Sequence, residues 1–129
     1  VLKDVSKTLV YRLANYRNGD YGDSFDEIIP QIVIDRPPSA ELAPDQKDQD
    51  SLPPYDVLDQ VLAYYVEEDL SAQAIVAKGF ESAMVHRVLR LVDINEYKRR
   101  QSPVGVRLTQ KGFGRDRRYP ITNAWQIGE

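Results

Sequence analysis

Cysteine is absent from the 129 residues, which excludes disulfides, thiolate metal sites and a cysteine nucleophile. The lack suits a reducing compartment, so a cytoplasmic location is expected. Histidine occurs once, as His86, among outward positions of a helical pattern and with no carboxylate or serine companion. It reads as a surface residue, and Ser/His/Asp catalysis has no support. No apolar run is long enough to cross a bilayer and no signal peptide is visible, so no membrane partner is expected. Methionine also occurs once, as Met84. The chain opens on Val1 within what already looks like helical pattern, so we expect a portion of a longer polypeptide. No internal repeat is visible.

The length suits one domain. Without the proline-rich stretch and the polar tail described below, about 80 residues remain to build a core, enough for a small helical unit and marginal for one that stands alone. The net charge of −3 hides an asymmetry. Nine acids face Lys47 alone between Glu41 and Asp69, whereas ten bases face Asp93, Glu96 and Asp116 between Arg87 and Arg118. This polarity fits docking of the two halves, a basic surface for an anion, or solvated helix faces.

The chain is organised around Arg36 to Asp59, RPPSAELAPDQKDQDSLPPYDVLD. Pro37, Pro38, Pro44, Pro53 and Pro54 keep helix and ladder strand out of it. It holds little of the Gly/Ser filler of a flexible linker. Ser39, Glu41, Asp45, Asp48, Asp50 and Ser51 supply short polar side chains instead. Long loops with such chemistry act as lids or binding loops, and we read residues 36–54 as a lid over a charged ligand, with a solvated acidic connector as the other reading. Ser39 is a natural phosphate contact. Asp48 and Asp50 carry the oxygen ligands of a hard cation, but two acids in a polar loop do not define a site, and no metal site is assigned.

The rest reads as mainly α. Leu2, Val5, Leu9, Val10 and Leu13 recur at helical spacing, predicting a helix from Ser6 to Tyr16 that Asn18-Gly19 ends. Phe25 to Ile29 suggests a short helix, and Ile32 to Ile34 fits a strand or one helical turn. Val57, Leu58, Val61, Leu62, Tyr65 and Val66 form a stripe over Asp56–Glu68. Ser71 suits an N-cap for Ala72–Lys78, and Gly79 a C-terminal stop. A last helix runs from Glu81 to about Arg100, with Met84, Val85, Val88, Leu89, Leu91 and Val92 inward and Tyr97 extending the stripe. Lys98, Arg99 and Arg100 complement its C-terminal dipole, and beside Tyr97 they also suit an anionic ligand stacked on an aromatic ring. After Pro103 a basic, glycine-rich tail follows (residues 102–129), with Val106 and Leu108 as a short strand and Trp125 as an anchor.

Leu70 to Leu91 resembles a helix-turn-helix, with Arg87 and Arg90 directed outward toward nucleic acid. Any antiparallel helix pair gives the same pattern. Ile75 is bulky where two such helices approach, and the preceding helix is strongly acidic.

The strings PPSAELAPDQKDQDSLPPYDVLD, YVEEDLS, RLVDINEYKRRQ and FGRDRRYPITN, in that order, resemble the C-terminal end of glutamine-dependent NAD synthetases. Lys3 to Leu13 (KDVSKTLVYRL) is similar to the helix before that segment. The resemblance implies the C-terminal helical portion of an α/β nucleotide-binding, adenine nucleotide α-hydrolase-like synthetase domain, with residues 1–129 as one fragment and 55–101 its helical region. It implies a ligase that amidates deamido-NAD with ATP, Mg²⁺ and glutamine-derived ammonia through an adenylate. It further implies that Lys7 and Ser39 contact ATP and that Tyr97 and Lys98 contact deamido-NAD. NAD is the product, no cofactor is held tightly here, and a homo-oligomer is expected. The family's SGGxDS pyrophosphate loop, magnesium-binding acids and amidase cysteine are missing from these residues, so no catalytic residue is assigned and the segment alone is expected to be inactive.

Overall fold

Helices account for all the regular structure that the computed structural model describes, at residues 2–19, 28–36, 52–112, 116–122 and 124–125; among these there is no strand. The described helices are too short or too polar to cross a membrane. The chain divides into two units, residues 6–55 and residues 1–5 with 56–129.

In the first unit, α1 spans Lys7–Gly19. Ser6 starts it, its Oγ accepting the Leu9 N–H at 3.3 Å. The helix runs three residues beyond the predicted Tyr16, up to the Asn18-Gly19 stop. Its expected apolar stripe is not a buried face, since no residue of α1 is buried and Leu13 is 45% exposed. Asn18 closes the helix by gripping Ile29: its Nδ2 donates to the Ile29 carbonyl at 2.8 Å and its Oδ1 accepts the Ile29 N–H at 3.1 Å. The Ile32–Ile34 ambiguity resolves to helix, α2 over Gln31–Asp35. Pro30 precedes it and Gln31 Nε2 donates to Asp35 at 2.8 Å across one turn. Most of the predicted Phe25–Ile29 helix and of the 36–54 loop lies outside the described residues.

The second unit holds the core. Helix α3, Tyr55–Leu62, buries Leu58 and Val61, as its stripe predicts. It then widens into a π turn, Ala63–Glu67, where the Glu68 N–H bonds the Ala63 carbonyl at 3.2 Å and Tyr65 turns inward. Asp69 follows with φ of 54°, a left-handed conformation that aspartate tolerates. Helix α4, Ala72–Val76, has its predicted cap, with Ser71 accepting the Ala74 N–H at 3.2 Å. Gly79, at φ of 100°, supplies a conformation that a side chain would strain, and the chain reverses there.

Helix α5, Ser82–Ile94, packs on α4. Glu81 caps it, its carboxylate accepting the Ala83 and Met84 N–H groups at 2.8 and 2.6 Å. Ile75, Val85 and Leu89 are fully buried and Val88 nearly so. The single helix predicted to Arg100 breaks at Asn95, whose Nδ2 donates to the Leu91 carbonyl at 2.8 Å. A separate α6 follows, Glu96–Gln101. Tyr97, expected to prolong the inward stripe, is 42% exposed; Glu96, seven positions after Leu89 and so on its side of the helix, is the buried residue instead.

The tail is irregular from Pro103 to Leu108, so the predicted Val106–Leu108 strand does not form. The hydrogen bonds that a ladder would use go elsewhere: Asp4 accepts the N–H groups of Leu108 and Thr109 at 2.7 and 2.6 Å and the Thr109 hydroxyl at 2.7 Å. The Lys111 N–H donates to Glu67 at 2.9 Å and its ammonium pairs with Asp69. Trp125, expected to anchor the tail, is 57% exposed.

Candidate functional site

Tyr97 and Lys98 are neighbours on the exposed face of α6, with the Lys98 Nζ 6.0 Å from the Tyr97 ring centroid. An ammonium beside an aromatic face is the arrangement the sequence suggests for an anionic, ring-bearing ligand. Lys7 belongs to the other unit, exposed in the first turn of α1, with its Nζ 6.0 Å from the Tyr55 ring. Ser39, Asp48 and Asp50 lie outside the described residues.

Six residues cannot hold a helix by propensity alone, so α6 needs tertiary support, and its inner face shows what supplies it. Glu96 and Arg99, one turn apart, are both drawn under the helix, with Glu96 only 1% exposed. They form an ion pair at 3.2 Å. Arg99 Nη2 also donates to the main-chain carbonyl of Arg117. Arg117 is itself buried, its guanidinium 3.9 Å from the Tyr65 ring and 4.6 Å from the Tyr119 ring, and it donates to the Tyr119 hydroxyl. The planar, weakly hydrated guanidinium suits such stacking in a way an ammonium does not. Its Nη1 is buried without a hydrogen-bond partner among the described residues.

Tyr65 and Asp93 complete the cluster. The Tyr65 hydroxyl donates to Asp93 at 3.4 Å. Burial, the hydrogen bond with Tyr119 and the nearby Asp93 charge raise the phenol above its ordinary value, so Tyr65 stays neutral. Burial also pushes the Asp93 carboxyl up, against the opposing pull of Tyr65, Arg117 and Arg90. The cluster thus joins the π turn, the last turn of α5, α6 and the tail.

Sequence reasoning placed Glu96 and Arg99 within a basic helix end and Tyr65 within an apolar stripe. It missed that Arg117 joins them. The readable signal was the RDRRY run itself (Arg115–Tyr119), where Arg117 stands two residues before Tyr119.

The remaining candidates have local explanations. His86, expected to have no serine companion, has one in Ser82 one turn earlier: the Ser82 carbonyl lies 2.8 Å and its hydroxyl 3.4 Å from His86 Nδ1, a contact that helical i, i+4 spacing supplies. Arg87 and Arg90 are exposed on α5, as both the helix-turn-helix and the plain helix-pair readings require. Among the described residues no three His, Cys, Asp or Glu side chains gather as a metal-ligand set.

Comparison with known proteins bears on the choice between the readings. The family profile described as NAD synthase matches residues 1–102. The glutamine-dependent NAD(+) synthetase of Acinetobacter baylyi is 59% identical over 126 residues, covering 98% of this chain and 23% of that protein. The enzyme of the same description from Aquifex aeolicus is 49% identical over 95% of this chain and 21% of that protein. Among solved structures, glutamine-dependent NAD+ synthetase from Acinetobacter baumannii in complex with ADP aligns with 99% of this chain at a TM-score of 0.58 and 48% identity, covering 21% of its own length. The chain thus spans about a fifth of the length of these relatives.

Proposed function

The chain belongs to the NAD synthase family, and on that footing we propose that it forms the C-terminal part of the synthetase (ligase) domain of a glutamine-dependent NAD synthetase. The observation that carries this reading is the unbroken likeness to such enzymes over 98% of the chain. The helix-turn-helix reading is not favoured beside that likeness.

In the proposed reaction the nicotinate carboxylate of deamido-NAD attacks the α-phosphorus of ATP and pyrophosphate departs. Ammonia then attacks the acyl carbon of the adenylate and AMP departs, leaving the amide of NAD. Glutamine supplies the ammonia at a separate amidase domain with a cysteine nucleophile. This chain has no cysteine, so that step falls to the remainder of the polypeptide. The first step concentrates negative charge, and fixed cations aimed at it lower its barrier. The adenylate must also be kept from water, which is the task we give to the 36–54 lid.

Within this scheme Lys7 and Ser39 bind ATP, while Tyr97 and Lys98 bind deamido-NAD. Lys98 is suited to an anion because its ammonium is a compact point charge, and α6 holds it outward over a buried ionic support. The surrounding domain would be an α/β nucleotide-binding fold of the adenine nucleotide α-hydrolase type, the enzyme a cytoplasmic homo-oligomer, and this segment alone inactive.

The test is a set of alanine substitutions in the full-length enzyme. Lys7→Ala and Ser39→Ala should raise the KM for ATP, and Lys98→Ala the KM for deamido-NAD, each by about tenfold, the loss of one charge-assisted contact. Unchanged constants for all three would remove the site assignment.

A further inference from the structure

We propose that Arg117 is a positioning residue for deamido-NAD, acting through Arg99 and Glu96 to fix the orientation of α6 and so the place of the Lys98 ammonium. The inference rests on the reading of Lys98 given above and extends it to a residue nineteen positions further along the chain.

The geometry supplies a continuous connection. Lys98 lies between Glu96 and Arg99, the two residues that turn inward from α6 and pair at 3.2 Å. Arg99 is tied to the carbonyl of Arg117. Arg117 in turn is held by its guanidinium on the Tyr65 ring at 3.9 Å and the Tyr119 ring at 4.6 Å. Tyr65 is fixed in the π turn after α3 and bonded to Asp93 at the end of α5. At Asn95 α6 parts from α5, joined to it by the Asn95 N–H on the Leu91 carbonyl at 3.2 Å and the Lys98 N–H on the Asn95 carbonyl at 3.0 Å. The ionic pair beneath α6 and the tail residue that seats the pair add a second, tertiary hold on the rotation of the helix about its own axis.

The positions on α6 follow from helical geometry. Residues 96 and 99 share a face, and 97 and 98 project from the rest of the circumference. A small rotation of so short a helix displaces the Lys98 ammonium, at the end of a long side chain, by an ångström or more. Displacements of about that size lower catalytic efficiency by up to about a hundredfold.

The experiment uses the full-length synthetase with Arg117→Lys, Glu96→Gln, Lys98→Ala and the double variant Arg117→Lys/Lys98→Ala. Arg117→Lys keeps the charge and loses the flat stacking surface. The expected result is a rise of about tenfold in the KM for deamido-NAD, with the KM for ATP changed less than about twofold. In the Lys98→Ala background the same substitution should add less than about twofold, because the residue it positions is gone. Glu96→Gln, nearly isosteric, should behave likewise and carries the test if Arg117→Lys does not fold.

A lowered melting temperature with an unchanged KM for deamido-NAD would assign the cluster to stability alone and overturn the inference. Full multiplicative effects in the double variant would overturn it too. If Lys98→Ala itself left that KM unchanged, the reading of the site would fall and the inference with it. A response to Lys98→Ala but not to Arg117→Lys or Glu96→Gln would remove only the positioning role.

Discussion

Replacing Asp4 by Asn should release the tail segment around Thr109 without disturbing the helical core. Asp4 receives three hydrogen bonds of 2.6–2.7 Å, two from main-chain N–H groups and one from the Thr109 hydroxyl. Each such bond to a carboxylate contributes up to about 1.5–3 kcal/mol when enclosed. This site lies near the surface, where solvent competes, so about 0.5–1 kcal/mol each is the better figure. Asparagine keeps an acceptor oxygen but not the charge, and a net loss of about 1–2 kcal/mol in the local opening energy follows. That corresponds to about 5- to 30-fold faster amide exchange at Leu108 and Thr109 at neutral pH, because exchange reports the local opening equilibrium.

The pH dependence fixes the sign of the same effect. Burial pushes the Asp4 carboxyl up, but the bonds from Thr109 and Leu108 and the charge of Arg107 outweigh it, so its pKa lies below 3.8. The depressed folded value means the stabilisation is fully present above the unfolded pKa and disappears as pH falls through the lower, folded one. Hydrogen exchange read by mass spectrometry in the full-length enzyme should therefore show the wild type and Asp4→Asn apart at pH 7 and converging below about pH 4. Equal protection of residues 107–110 in the two proteins at pH 7 would refute the reasoning.

Two further outcomes follow from packing. Leu89→Ala removes a side chain with no exposed surface and should cost about 2–5 kcal/mol, measured by denaturant unfolding; a loss below about 1 kcal/mol would contradict its core position. Gly105→Ala should be destabilising although the residue lies in an irregular tail, because an added Cβ would stand 2.8 Å from the Cβ of Lys3; a shift of about 1–3 kcal/mol is expected for such overpacking, and no change in thermal midpoint would show that the two segments part freely.

What could be read from the residues was largely local. Ser71 and Gly79 bracket α4 because caps act on backbone within three or four residues, and Val85, Val88 and Leu89 face inward because helical spacing puts them on one face. The break at Asn95 escaped because Asp93 to Arg100 contains no glycine or proline, and only the Asn95 side chain folding back on Leu91 marks it. The stripe on α1 misled because apolar spacing says which face wants a partner and not whether one is present in these residues. The tail could not be read because its order comes from carboxylates far away in the chain, Asp4 for Thr109 and Glu67 for Lys111. The site divides in the same way. Tyr97 and Lys98 could be named from their motif, but the support beneath them depends on Arg117, whose burial between two tyrosines is a product of folding and not of composition.

The most direct measurement is a structure of the full-length enzyme with deamido-NAD and an ATP analogue bound. The account predicts the Lys98 ammonium within about 2.7–3.2 Å of an anionic oxygen of deamido-NAD, and Ser39 and Lys7 in contact with the nucleotide triphosphate. Lys98 and Ser39 on outer surfaces, remote from both substrates, would contradict it.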